Sequence, residues 1–179
     1  IRETGVDRVY LEAWSDTNRD GAAEALFFPN RVLPVRADLL SYTINLLRRA
    51  GIDVHVVVPT LGLRPPGMEP DPRLFVQEYR WGRIQPTPSP NQRLSPFHPQ
   101  ARNMVTTMFE DLAAYVDCDA ILLRDDAYLS DHEDFGPNAA KFWLSRINLK
   151  ERNPDKFSDA ERAAWTDLRV ATVEDRKST

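Results

Sequence analysis

The sequence is poor in cysteine: its 179 residues hold one, Cys118. A single thiol excludes an internal disulfide and any zinc site built on several thiolates. Histidine is scarce as well, with three in the chain. His55 lies in an apolar run, His98 stands between Phe97 and Pro99, and His132 has no second histidine at ligand spacing. Neither a metal nor a cofactor is therefore expected. Cationic excess is missing: 23 Lys and Arg face 27 Asp and Glu, a net charge of -4. With no basic stripe, nucleic acid is excluded as the expected partner, and a cationic or neutral one fits better. No apolar run approaches the roughly 20 residues of a membrane helix, so no membrane-spanning segment is expected. A basic n-region followed by an apolar h-region is also lacking, so this segment reads without a signal peptide. There is no Gly-x-Ser-x-Gly elbow and no Gly-rich phosphate loop. Cys118, set between Asp117 and Asp119, lacks the electropositive setting that activates a thiol.

What is present is an ordinary globular composition, 42% hydrophobic and 28% charged. The length fits one domain over residues 1–179. Arg8 to Trp14 (RVYLEAW) is β-branched and aromatic and reads as a buried strand. The polar loop from Ser15 to Gly21 follows. Its Asp pattern resembles a calcium loop, but the closing Glu is replaced by Phe27. Ala37 to Ala50 carries Leu40, Ile44 and Leu47 on one stripe, with Asp38 at its start and Gly51 past its end, as an amphipathic helix requires. Asp53 to Pro59 (DVHVVVP) reads as a strand covered on both faces. Residues 62–99, rich in Pro, Arg and Ser, read as a long loop. A helix from Pro99 to Val116 and a strand from Ala120 to Leu123 follow. Asn138 to Ile147 reads as a helix. Ser158-Asp159-Ala160-Glu161 is a capping box opening a last helix.

Strand and helix alternate, which predicts an α/β fold with parallel strands, either a small open sheet or a partial or complete (β/α) TIM-like barrel. Acidic residues fall just after strands, where such folds build their sites: Glu12 and Asp16 after the first, Asp125 and Asp126 after the third, then Asp131. Along a regular strand only one of Asp125 and Asp126 faces inward. Two carboxylates this close repel and raise one pKa, the pairing that glycoside hydrolysis uses. A solvated loop in which one Asp caps the following helix accounts for the same residues. Arg31 and Arg36 could orient carboxylates in a sugar site, or support a surface loop. Trp14, Trp81 and Trp143 could stack on sugar rings, or fill a core or rim.

Two stretches carry a resemblance: VYLEAWSDTNRDGAAEALFFPNRVLPVRADLL and QRLSPFHPQARNMVTTMFEDLAAYVDCDAILLRDDAYLSDHEDFGP. The order and spacing of FPNR, LPVRADL, RLSPF and DDAYLSDHED resemble the C-terminal glycoside-hydrolase domain of the PgaB family, periplasmic proteins that process poly-β-1,6-N-acetyl-D-glucosamine in biofilm bacteria. That resemblance implies a (β/α) barrel-like hydrolase cutting the partially de-N-acetylated polymer by an endo mode. It implies catalytic roles for Asp125, Asp126 and Asp131, a polysaccharide partner and a periplasmic setting. The family pattern usually has His at the position of Arg124 and Gln at that of Glu12. The candidate substrate-binding residues are Glu12, Trp14, Asp16, Arg31, Arg36 and Arg93. A module that binds the same cationic polymer without cleaving it, and a scaffold domain with solubilising acidic loops, are the other readings.

Overall fold

The computed structural model describes residues 5–66, 71–88, 92–149 and 151–174. The chain divides into two compact units, Ile1–Gly67 with Thr107–Asp126, and Met68–Thr106 with Ala127–Thr179.

The first unit is built on a parallel sheet. Strand β1 (Arg8–Glu12), strand β4 (Asp53–Val58) and strand β7 (Ala120–Leu123) lie side by side in that order, all parallel. The α/β class with parallel strands is thus as expected. Helix α1 (Leu40–Arg49) links β1 to β4 and packs against β4. Helix α2 (Pro99–Tyr115) precedes β7, and the division between units falls within it. The crossover needs a helix because parallel neighbours cannot be joined by a tight turn.

The sheet departs from expectation in its burial. Val54, Val56 and Val58 are fully buried, whereas their alternates Asp53, His55 and Val57 are not. Only one face of β4 is therefore covered. Register places Tyr10 beside His55, and Glu12, Val57 and Leu122 in one row, on the other face. There Tyr10 is 58% exposed and Leu122 46%. The Tyr10 ring meets His55 edge-on at 5.4 Å, so His55 is a strand-face residue.

The first strand is also shorter than its apolar run. It ends at Glu12; Ala13 is buried, and Trp14–Ser15 (β2) turns away to pair antiparallel with Ala25–Leu26 (β3). Helix α1 starts at Leu40, with Leu39 at the N-cap making no side-chain cap bond, so Asp38 does not cap it.

The second unit contains what sequence periodicity left as loop: a hairpin of β5 (Gln77–Arg80) and β6 (Arg83–Pro86). Helices α3 (Pro137–Arg146) and α4 (Asp159–Glu174) follow. The capping box forms as predicted, since Ser158 Oγ accepts from the Glu161 N–H at 3.3 Å while Glu161 accepts from the Ser158 N–H at 3.0 Å. The core of this unit is aromatic: Phe97, Phe135, Trp143, Phe157 and Trp165 cluster with Val76, Leu129 and Leu168. No described helix is long and apolar enough to cross a membrane.

Candidate active site

The carboxyl ends of β1, β4 and β7 bring Glu12, Trp14, Asp16, Asp125 and Asp126 into one unit, at the end of the sheet where parallel folds place their sites. Glu12 closes β1 on the open face of the sheet and is exposed. Past β7 the chain enters a single 3₁₀ turn, Asp125–Ala127. The two adjacent acids therefore stand on a turn, and strand alternation does not sort them.

They are sorted by partners instead. Asp125 is exposed and makes no hydrogen bond or ion pair with another described residue. Asp126 is half-buried. Its carboxylate accepts the Thr60 N–H at 2.9 Å and the Gly62 N–H at 2.8 Å, which ties the end of β7 to the segment leaving β4. Burial pushes the Asp126 carboxyl above its ordinary value, against the pull of those N–H groups. Gly62 makes this approach possible: a Cβ there would lie 2.8 Å from Asp126 Oδ2 and 3.0 Å from the Gly21 carbonyl.

The polar loop after β2 is knitted to itself. Asp16 accepts the Asp20 N–H at 3.1 Å and the Gly21 N–H at 2.8 Å, and Asp20 pairs with Arg64 at 2.5 Å. Asp16 thus shapes a turn. Among the described residues no group of three or more His, Cys, Asp or Glu side chains is placed to hold a metal ion. Arg124 reaches back to this loop. Its guanidinium lies 4.6 Å from the centroid of the Trp14 ring and donates to the Gly21 carbonyl at 2.6 Å. One face of Trp14 is therefore occupied by Arg124.

The arginines of the first unit go elsewhere. Arg31 grips α2, through Asp111 at 2.9 Å and Glu110 at 3.1 Å. Against the penalty of burial, Arg31 holds the Asp111 carboxyl below its ordinary value. Arg36 is exposed, and its backbone N–H bonds the Leu26 carbonyl at 3.0 Å. Burial pushes the Cys118 thiol up, the opposite of an activated nucleophile.

Asp131 and Arg93 belong to the second unit. Asp131 is gripped by two arginines of α4, Arg162 at 3.3 Å and Arg169 at 3.2 Å. Arg169 is buried and also donates to the carbonyls of Leu129, Ser130 and Glu133. Burial pulls its guanidinium pKa down, opposed by Asp131. Arg93 forms a buried pair with Glu133, at 2.8 Å to each carboxylate oxygen. Glu133 in turn accepts the Ser130 N–H at 2.9 Å. Despite burial, these donors hold its carboxyl below the ordinary value. The loop carrying Asp131 is thus fixed from two sides, and its Tyr128, Leu129 and Asp131 line a cavity of about 350 Å³ with Thr166, Arg169 and Val173.

Sequence reasoning missed Gly62, Thr60, Arg162 and Arg169, and it read Glu133 within the acidic run Asp131-His132-Glu133-Asp134 without its arginine partner. Of these, Gly62 left a signal, as one of seven glycines in the chain, four residues past the end of β4.

The model of a family described as hypothetical glycosyl hydrolase family 13 matches residues 1–178. The chain belongs to this family. Among curated proteins it is similar to the poly-beta-1,6-N-acetyl-D-glucosamine N-deacetylase of Escherichia coli (strain K12), 36% identical over 97% of this chain. Among solved structures, this family member is similar to the PgaB (BpsB) glycoside hydrolase domain from Bordetella bronchiseptica, with 30% identity, a TM-score of 0.72 and 96% of the chain covered. Alpha-L-fucosidase isoenzyme 2 from Paenibacillus thiaminolyticus shares the fold at a TM-score of 0.63 with 14% identity, covering 96% of this chain and 25% of that one. The chain spans 26% of the length of the deacetylase and 52% of the solved PgaB domain.

Proposed function

We propose that this glycosyl hydrolase family member cleaves a partially de-N-acetylated poly-β-1,6-N-acetyl-D-glucosamine, a biofilm exopolysaccharide, in the periplasm. The observation that carries this is Asp125: an exposed carboxylate at the carboxyl end of the parallel sheet, with no ion-pair partner among the described residues, beside the half-buried Asp126, whose carboxyl desolvation pushes up. Residues 1–179 act as one (β/α)-barrel-type hydrolase domain, a reading supported by the single family match over residues 1–178. Asp125 is the catalytic carboxylate. Asp126 and Asp131 are positioning residues, held by backbone N–H groups and by arginines respectively. Glu12, on the open face of the sheet, attracts the ammonium group of a de-N-acetylated sugar. This carboxylate chemistry needs no cofactor.

A binding module without catalysis is the second reading, favoured by the pairing of Asp131 with both Arg162 and Arg169. The test is release of reducing ends from the partially de-N-acetylated polymer. Asp125→Asn is expected to lower the rate by about 10²–10⁴-fold. An unchanged rate overturns the assignment of Asp125. Wild-type protein that binds the polymer and never cleaves it establishes the binding module.

A further inference from the structure

The Asp125 carboxylate has no hydrogen bond or ion pair among the described residues, yet the chain on either side of it is anchored. After it, Asp126 accepts the Thr60 and Gly62 N–H groups of the segment leaving β4. Before it stands Arg124. The Arg124 N–H donates to the Val58 carbonyl at 3.0 Å, just past the last paired residues of β4 and β7. Its side chain reaches the segment that follows β1. There the guanidinium donates to the Gly21 carbonyl at 2.6 Å and lies 4.6 Å from the centroid of the Trp14 ring.

The two anchors are themselves joined. The Ala23 N–H donates to the Gly62 carbonyl at 2.7 Å, and the Arg64 N–H to the Ala23 carbonyl at 2.9 Å. Gly62 also packs against the Gly21 carbonyl, with no room for a Cβ between them. A closed ring results. It runs from Arg124 to Gly21, along the chain to Ala23, across to Gly62 and Asp126, and back through Asp125.

The residue types suit this ring. A planar guanidinium stacks on an aromatic face while its N–H groups donate in their own plane, which an ammonium does not reproduce. Arg124 and Trp14 are half-buried, and among the described residues Arg124 has no carboxylate as an ion-pair partner.

We propose that Arg124, held by the Trp14 ring and the Gly21 carbonyl, is a positioning residue that fixes the backbone of Asp125 and leaves its carboxylate free to meet substrate. Trp14 thereby becomes the holder of Arg124. This role rests on the proposed part of Asp125 in catalysis. A reacting group displaced by about 1 Å can lose about 10²-fold in rate, so the clamp acts on turnover rather than on binding.

The experiment uses the whole chain. Arg124→Met keeps the stem and removes the donors and the charge. Arg124→Lys keeps the charge without the planar fork. Trp14→Leu removes the aromatic face. Reducing-end release from the partially de-N-acetylated polymer is read as kcat and KM separately. Arg124→Met should lower kcat about 10- to 100-fold with KM within about twofold. Arg124→Lys should recover only part of that loss, and Trp14→Leu should fall between wild type and Arg124→Met. Backbone amide relaxation by NMR reads the clamp without any cleavage. Order parameters of residues 124–126 should be about 0.85 in the wild type and below about 0.6 in Arg124→Met, with those of β4 unchanged. If Arg124→Met does not fold, Arg124→Lys carries the same readouts with the same signs. A rigid turn with unchanged kcat in the variants overturns the clamp. So does loss of order that spreads through β4, the mark of a merely structural role, and so does a raised KM at unchanged kcat. A turn set loose by Arg124→Met in a protein that never cleaves polymer supports the clamp and removes the hydrolase reading. Cleavage by the wild type with a rigid turn in every variant does the reverse.

Discussion

Asp125 and Asp126 are neighbours in sequence with opposite surroundings, and that contrast decides what each substitution does. Asp125 is exposed and makes no hydrogen bond or ion pair with a described residue, so Asp125→Asn should change stability by no more than about 0.5 kcal/mol while abolishing most of the rate. Asp126 accepts two backbone N–H groups in a half-buried setting. An Asn amide at that place turns a donor toward one of them. Asp126→Asn is therefore expected to lose about 1–3 kcal/mol of stability, because a buried donor is left unsatisfied. Urea denaturation together with reducing-end release separates the two signatures. Equal stability losses in both variants would show that the turn does not distinguish its acids. The sequence marked this turn correctly as the end of a strand followed by acids. It could not sort the pair, since Thr60 and Gly62 lie more than sixty positions upstream and no local pattern announces them.

At the scale of elements, the loop from Tyr128 to Asp134 carries two buried acids that respond to pH in opposite senses. Glu133 is held charged by Arg93, and breaking a buried pair by removing one charge typically costs about 3–5 kcal/mol. Glu133→Gln should show that loss in urea denaturation. Asp134 is fully buried, and burial raises its carboxyl to about 6, although Ser95, Gly136 and Gln77 donate to it. The folded state thus keeps a proton that the unfolded chain releases near pH 4. This contributes stability that is full below about pH 4 and lost as pH rises through about 6. The melting temperature of the wild type relative to Asp134→Asn should accordingly fall between pH 4 and 7. A constant difference would mean that Asp134 stays ionised throughout. Elements with strong periodicity were legible: β4, β7, α2 and α3 lie within a residue or two of their apolar patterns, and the capping box marked the start of α4. The hairpin β5–β6 was not, because Trp81-Gly82 is not a usual turn pair and its strands sit among prolines and arginines. The apolar run RVYLEAW also overstated β1, since antiparallel pairing of Trp14 with Leu26 draws its end into another sheet.

For the whole molecule, the proposed function makes charge the long-range attraction between this chain and its polymer. Carboxylates gather at the ends of the parallel strands, and the chain carries a net charge of -4. Under the proposed function, a partially de-N-acetylated chain offers its ammonium groups to the acids. Charges act through solvent and are screened within a Debye length of about 10 Å at 0.1 M salt and about 3 Å at 1 M. An acetylated, neutral sugar escapes that screening. Raising salt from 0.1 to 1 M should therefore raise the KM for highly de-N-acetylated polymer severalfold. The affinity for a fully acetylated tetrasaccharide should move by less than about twofold over the same range. Calorimetry at the two salt concentrations, paired with kinetics on polymers of graded acetylation, measures both. Equal salt sensitivity of the two ligands would show that charge does not set the affinity for the polymer.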